Sequence, residues 1–400
     1  MDFGWLYQIY GEINAQYDTG IKFDYIVLYI ILCFCTIYFS SKLSQLKNEK
    51  SWFLPLLPYI IAFSLIEGVR YLRGTDYLLY SLSYLYDDEF RFREFLWSAL
   101  RETLRGLHCS YWMQFFVFAF SWITGLIFFI KKIDRKYAIY ILPIAIVFSL
   151  GGLENLIRQS FAFSFLLVAI AYLLEKKYNY ALLFLVVAIF IHNATIILAL
   201  FACFIYAIRK VKVTAVTYVI IYVIVVFLLG GNFFSIVMQQ AEKLLQIIGG
   251  GLSVTAYYLT DFNRFLGADA YMDRYSRSVV TLLFAALFDI VVMVLSYKHL
   301  KHRNFQDSNT LFFYHLFCIS NILLQFTTNF MVVRRIFTMF YMFAAFLIGY
   351  VMHEKPLAKG ENVLRLYMFA YVVIFFIKNI LLASNQLFLW DADGKYNVGL

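Results

Sequence analysis

The sequence predicts an all-α polytopic membrane protein, with about ten transmembrane helices, a re-entrant helical hairpin at 180–208 and amphipathic helices in its outer loops. Three observations carry this expectation. Hydrophobic residues are 62% of the chain and charged residues only 15%, against about 45–50% and about 25% in a soluble protein. Apolar runs close to the ~20 residues a helix needs to cross a bilayer recur from Tyr25 to Leu382. Lysine clusters follow every second run, as the retention of basic loops in the cytoplasm requires.

In order, the spans fall at 24–41, 52–67, 111–130, 137–153, 160–174, 213–229, 279–297, 311–329, 336–352 and 363–382, in a single transmembrane domain over residues 1–400. Met1 to Asp24 carries acids and aromatics but no basic n-region, so the first apolar run is expected to remain as a span. The clusters Lys42/Lys47/Lys50, Lys131/Lys132/Lys136, Lys176/Lys177, Lys298/Lys301 and Lys355/Lys359 put the N-terminus outside. Residues 180–208 interrupt the alternation, being one apolar run between two basic ends with His192-Asn193 at its middle. A single helix there would reach about 43 Å at ~1.5 Å per residue and invert every later loop. Two half-length helices that dip in and return keep both ends cytoplasmic, and broken backbone at membrane depth is tolerated where protein or a wet cavity surrounds it.

The formal charge of +9 would suggest nucleic acid in a soluble protein. Here the cations lie in short loops between spans, which excludes that partner. Fourteen of the eighteen lysines fall inside by this topology. Twelve of the sixteen arginines fall outside: Arg70, Arg73, Arg91, Arg93, Arg101, Arg105, Arg158, Arg264, Arg274, Arg277, Arg334 and Arg335. Lysine obeys the insertion rule and arginine violates it. A planar, permanently charged fork suits diphosphate or carboxylate, so an anionic ligand is expected on that side. Four cysteines (Cys33, Cys35, Cys203, Cys318) sit in apolar runs and Cys109 near a loop, with neither a disulfide framework nor a metal-binding CxxC. No cofactor is expected.

Two outer loops, 68–110 and 230–278, are expected to act as lids. The first opens Arg70-Tyr71-Leu72-Arg73-Gly74-Thr75-Asp76-Tyr77, where Gly74 can end the preceding helix and Thr75 cap the next. Arg70 and Arg73 beside that new helix form a candidate anion site. Tyr77, Tyr80 and Tyr84 share one helix face, which could meet sugar rings or serve as an interfacial belt. Residues 91–107 read as a helix lying in the membrane surface, with Arg93, Glu94, Arg101 and Arg105 as its solvated face. Glu154-Asn155-Leu156-Ile157-Arg158-Gln159 edges the fourth span. Glu154 and Arg158 stand at i,i+4 and could simply pair, yet ionisable groups at membrane depth point to function. His192 is a candidate base near pH 7. Arg334-Arg335 occupies a short outer turn, and His299 and His302 read as solvated in a basic loop. Gly249-Gly250-Gly251 gives the second loop a flexible joint, ahead of Arg264, Arg274 and Arg277.

The order Arg-Tyr-x-x-Gly-Thr-Asp-Tyr at 70–77, Asn-x-x-Arg-Gln at 155–159, Ile-His-Asn-Ala at 191–194 and Arg-Arg-Ile-x-x-x-Phe at 334–340 resembles the EpsG-like family. Its members are bacterial polysaccharide polymerases of the Wzy type, which make exopolysaccharide, capsule or O-antigen. Where the family often has a serine after the histidine, this chain has Asn193. The resemblance implies a multi-pass glycosyltransferase of the bacterial cytoplasmic (inner) membrane, active on its outer, periplasmic or extracellular side. Its donor and acceptor are glycan repeat units on undecaprenyl diphosphate, and a flippase and a chain-length regulator are its candidate companions. A sugar hydroxyl on one unit displaces the lipid diphosphate of another. Arg70, Arg73, Arg158 and Arg334 or Arg335 would stabilise the leaving diphosphate, and His192 or Asp76 would take the proton. Thr75, Tyr77, Tyr80, Glu154, Asn155, Gln159, Asn193, Arg264, Arg274 and Arg277 would line the substrate, with no metal required.

Three other readings stand beside this one. A ligase would move finished polymer to another acceptor. A metal-dependent glycosyltransferase would hold its cation on Asp87, Asp88 and Glu89, or on Asp391 and Asp393. A transporter for the lipid-linked unit would show internal repeats, and none is evident.

Overall fold

A computed structural model of the chain describes residues 22–46, 51–71, 73–74, 77–86, 94–228, 279–327, 331–382 and 387–388. The Asp87–Glu89 and Asp391/Asp393 clusters, the Gly249–Gly251 joint and the rest of 229–278, including Arg264, Arg274 and Arg277, lie outside these residues, as do Thr75, Asp76, Arg91 and Arg93.

The described residues are almost entirely helical. Helices run α1 Phe23–Gln45, α2 Phe53–Gly68, α3 Tyr77–Tyr86, α4 Phe95–Gly106, α5 Trp112–Asp134, α6 Ala138–Asn155, α7 Ile157–Leu174 and α8 Tyr178–Ile191. They continue as α9 Thr195–Ile208, α10 Ala215–Val223, α11 Val279–His302, α12 Ser308–Phe326, α13 Met331–Thr338, α14 Ala344–His353 and α15 Glu361–Phe376. Two dipeptides, β1 Arg70–Tyr71 and β2 Leu387–Phe388, pair antiparallel with Arg70 opposite Phe388 and Tyr71 opposite Leu387.

This is a multi-pass membrane protein. Among the described residues, six helical stretches are long and apolar enough to cross a bilayer: Phe23–Gln45, Trp112–Asn155, Ile157–Leu174, Val280–His302, Arg334–His353 and Glu361–Leu381. The second is 44 residues long, about 66 Å at ~1.5 Å per residue, twice a ~30 Å hydrocarbon core. A 3-10 turn at Arg135–Tyr137 divides it. Four shorter apolar helices accompany these six. Two of them answer the question posed by 180–208. The run is not one long helix, because Tyr178–Ile191 stops at His192, whose backbone is extended (φ −153, ψ 111), and a new helix starts at Thr195.

The chain forms two compact units, residues 1–196 with 372–400, and residues 197–371. In the first, α5 packs against α2 and α7, α7 against α8, and α1 against α6. The crossing of α5 on α7 is close because Gly125 has no side chain: a Cβ there would lie 2.7 Å from the Ser164 carbonyl oxygen. Lys132 and Lys177, from two separate lysine clusters, both reach Glu175 just beyond α7, at 3.0 and 2.9 Å. Arg158 stands at the other end of that helix, about 25 Å away at ~1.5 Å per residue. Within this unit, then, these two lysines and the motif arginine occupy opposite ends of α7.

The second unit is built on aromatic packing, with Phe313 stacked on Phe343 (5.6 Å) and Phe288 on Tyr371 (3.9 Å). His299, expected to be solvated, is instead 3% exposed. Its Nε2 lies 2.7 Å from Glu361 Oε1, and the same carboxylate accepts from Arg365 Nε and the Leu357 amide. Glu361 at the start of α15 thus draws the end of α11 inward.

Candidate active site

Arg70, Tyr71, Arg73 and Gly74 are held by the fold itself. The β1–β2 pairing fixes Arg70 and Tyr71, and Gly74 follows with φ +96, in the left-handed region. A Cβ on Gly74 would lie 2.3 Å from the Glu154 carbonyl oxygen, so glycine is required twice over. It does not end the preceding helix as expected; α2 stops at Gly68 and the strand intervenes. Gly74 instead lets the chain press onto the end of α6.

There the first two motifs interlock. Arg73 pairs with Glu154 (2.5 Å) and its guanidinium lies over the rings of Tyr25 and Tyr29, at 4.7 and 5.3 Å. Arg70 Nη1 reaches Glu67 Oε2 at 3.4 Å and its guanidinium lies over Phe115 at 5.6 Å. Tyr29 donates its hydroxyl to Glu67 Oε1 at 2.7 Å. Two arginines and two glutamates are therefore buried together in pairs, and none of the four side chains is more than 5% exposed. Glu67, Arg70, Phe115, Phe118, Ala119, Leu153 and Ile157 also line a small cavity, with room for about one water.

Glu154 and Arg158 do not pair with each other. Leu156 leaves the helix (φ −113, ψ 53), separating α6 from α7, so the i,i+4 geometry is lost. Arg158 turns instead to Glu94, with Nη1 2.8 Å from Oε2, and donates Nε–H to the Tyr80 hydroxyl at 2.9 Å. The other oxygen of Glu94 lies 3.2 Å from His192 Nδ1. One carboxylate thus takes a permanent cation and an imidazole. Arg158 and His192 retain 22% and 20% side-chain exposure, which separates them from Arg70 and Arg73.

Aromatic packing braces this group. Trp97 meets Tyr80 edge-on at 5.2 Å and stacks on Phe118 at 4.6 Å, while the Tyr80 carbonyl accepts from Gln114 Nε2 at 3.2 Å. The tyrosine stripe consequently faces the core and not an open surface: Tyr77, Tyr80 and Tyr84 are 1%, 3% and 4% exposed. Hydroxyls bury well when they find partners; that of Tyr84 reaches the Cys109 carbonyl at 2.7 Å. The surface helix at 91–107 is corrected likewise. In α4 the positions Trp97, Arg101 and Leu104 turn inward, and Arg101 donates to the Ser83 carbonyl at 3.4 Å. Glu94, read as solvated, is 9% exposed. Burial alone would push its carboxyl up, but the hydrogen bond with His192 and the charge of Arg158 outweigh that and hold it below its ordinary range.

The remaining candidates are more dispersed. Asn155 is half-buried and donates to the Gly151 carbonyl at 2.8 Å, Gln159 is buried, and exposed Asn193 accepts from the Ile196 amide through its carbonyl. Arg334 and Arg335 are half-buried on α13 in the second unit. Sequence reasoning missed Glu67 and Glu94. Glu67 closes an apolar run, where an ionisable residue is itself a signal; Glu94 offered none apart from its partners.

The four motifs and the geometry around them now meet an independent comparison: the model of the EpsG family matches residues 52–390. The chain belongs to the EpsG family. This family comprises Wzy-type polymerase-like membrane proteins, and its match covers α2 through β2, including every residue of the Glu94 cluster. Neither the curated proteins nor the solved structures contain a match.

Proposed function

We propose that this EpsG-family chain is a polysaccharide polymerase that joins lipid-diphosphate-linked oligosaccharide units on the outer face of the bacterial cytoplasmic membrane. The observation that carries the reading is the convergence of Arg158 and His192 on Glu94 at the partly open end of the first unit. Transfer needs a cation for the leaving diphosphate and a base for the attacking hydroxyl, held a few ångströms apart.

The acceptor hydroxyl oxygen attacks the donor's anomeric carbon as the bond from that carbon to the diphosphate breaks. The proton passes to His192 Nε2, and the departing diphosphate takes its charge to Arg158. Arg70 and Arg73 serve from behind in this reading: their buried network holds the α6–α7 junction from which Arg158 projects. Because an arginine meets the diphosphate, the reaction is independent of a divalent cation. Purified protein, lipid-diphosphate-linked repeat units and EDTA test all of this on one gel. A ladder in EDTA that Arg158→Ala and His192→Ala both lose supports the reading. A ladder abolished by EDTA moves the chemistry to a bound metal, and lipid movement across vesicles without a ladder makes the chain a transporter.

A further inference from the structure

We propose that Glu94 is a positioning residue that fixes His192 as its Nδ1–H tautomer and conveys the binding of an anion at Arg158 to the basicity of His192. The proposal rests on the roles given above to Arg158 and His192.

Glu94 precedes α4, where an acidic side chain commonly caps the first amides. It makes no such bond; its carboxylate points to Arg158 and His192 instead. Each oxygen has its own partner, Oε2 with Arg158 Nη1 at 2.8 Å and Oε1 with His192 Nδ1 at 3.2 Å. An ionised carboxylate only accepts hydrogen bonds, so Nδ1 must carry the hydrogen, and Nε2 is left with the lone pair a base requires. The carboxylate also favours the imidazolium that forms when Nε2 takes a proton.

The shared carboxylate makes the two partners interdependent. Much of the negative charge of Glu94 is offset by Arg158, 2.8 Å away. A diphosphate that draws on the same guanidinium weakens that offset, and the uncompensated carboxylate then acts more strongly on His192. The base is thereby strengthened when the donor is in place. On the elements packed here, the other charged or titratable groups include Tyr77, Tyr80 and Tyr84 on α3, Arg101, Glu102 and Arg105 on α4, and His108, Cys109 and Tyr111 before α5. Tyr80 accepts from Arg158, and Arg101 is engaged with the Ser83 carbonyl.

The test uses the full chain in detergent with 15N-labelled histidine, the His192 signals being those lost in His192→Gln. These are titrated with pH in EDTA, with and without inorganic pyrophosphate. The expected parent spectrum is the Nδ1–H tautomer, with a midpoint that rises by about one pH unit, a tenfold change in the equilibrium, when pyrophosphate is added. Glu94→Gln removes the response to pyrophosphate. An Nε2–H tautomer in the parent, or an equal response in Glu94→Gln, overturns the proposal. If Glu94→Gln does not accumulate, Glu94→Asp keeps the charge but draws it back by one methylene, and its response must be smaller than the parent's. A parent that responds to pyrophosphate yet makes no ladder sinks the polymerase reading and leaves the Glu94 link standing; a ladder without a response does the reverse.

Discussion

Arg73 is paired to Glu154 at the end of α6, and Gly74 brings its backbone against the carbonyl of that same Glu154. The two contacts are coupled. The ion pair needs that backbone at close range, and only a residue without a side chain allows that range. They also explain why an arginine and a glycine stand side by side in the motif.

Gly74→Ala should therefore be severely destabilising. The left-handed backbone costs a side chain about 1–2 kcal/mol, and the forced shift of a main-chain carbonyl adds about 1–3 kcal/mol. Gly106→Ala is the control, since a Cβ there meets nothing within 4 Å and a helical alanine gains up to ~1 kcal/mol. Thermal unfolding in detergent should rank Gly74→Ala far below the parent and Gly106→Ala at or above it. Equal melting temperatures for the two variants would show that Gly74 is not held against Glu154 as described.

Removing one charge of the Arg73–Glu154 pair should hurt more than removing both. Arg73→Met strands a buried carboxylate, a loss of about 3–5 kcal/mol. Arg73→Met with Glu154→Gln leaves two neutral groups and should recover most of it. A double-mutant cycle on unfolding free energy measures the coupling; additive effects would mean the pair contributes little.

The acid limb of stability should trace to Glu94. Its folded carboxyl titrates below the ordinary 4.5, so the folded state binds fewer protons than the unfolded state as pH falls through that range. The contribution is complete above about pH 5 and disappears as pH drops through the lowered folded value. The parent's melting temperature should fall more steeply between pH 5 and pH 3 than that of Glu94→Gln. Parallel curves would place the acid sensitivity elsewhere.

The fold class was legible because apolar content and helix length are set by the bilayer and leave a direct imprint on sequence. The break at His192 was legible for a related reason: a basic end on either side of an apolar run constrains how it can lie. Which partner each charged residue chooses was not legible. The i,i+4 spacing of Glu154 and Arg158 allowed a pair, and a single non-helical residue, Leu156, sent each to a partner more than sixty positions away. The tyrosine stripe shows the same limit. Spacing told that Tyr77, Tyr80 and Tyr84 share a face, but burial depends on Phe115, Trp97 and Cys109, which come from other elements.

Tyr80→Phe offers the narrowest probe of the site. The ring that meets Trp97 is preserved, and only the hydroxyl that accepts from Arg158 Nε is lost. A hydrogen bond to a charged group contributes about 1.5–3 kcal/mol. If Arg158 must be aimed for transfer, much of that should appear in the rate, as a loss of roughly 10- to 100-fold in polymer formed. Membrane accumulation should stay near the parent's, because the packing is unchanged. Initial rates of ladder formation at saturating donor separate the outcomes. An unchanged rate would mean that Glu94 alone orients Arg158; a lost rate with a lost protein would return Tyr80 to the core as a packing residue.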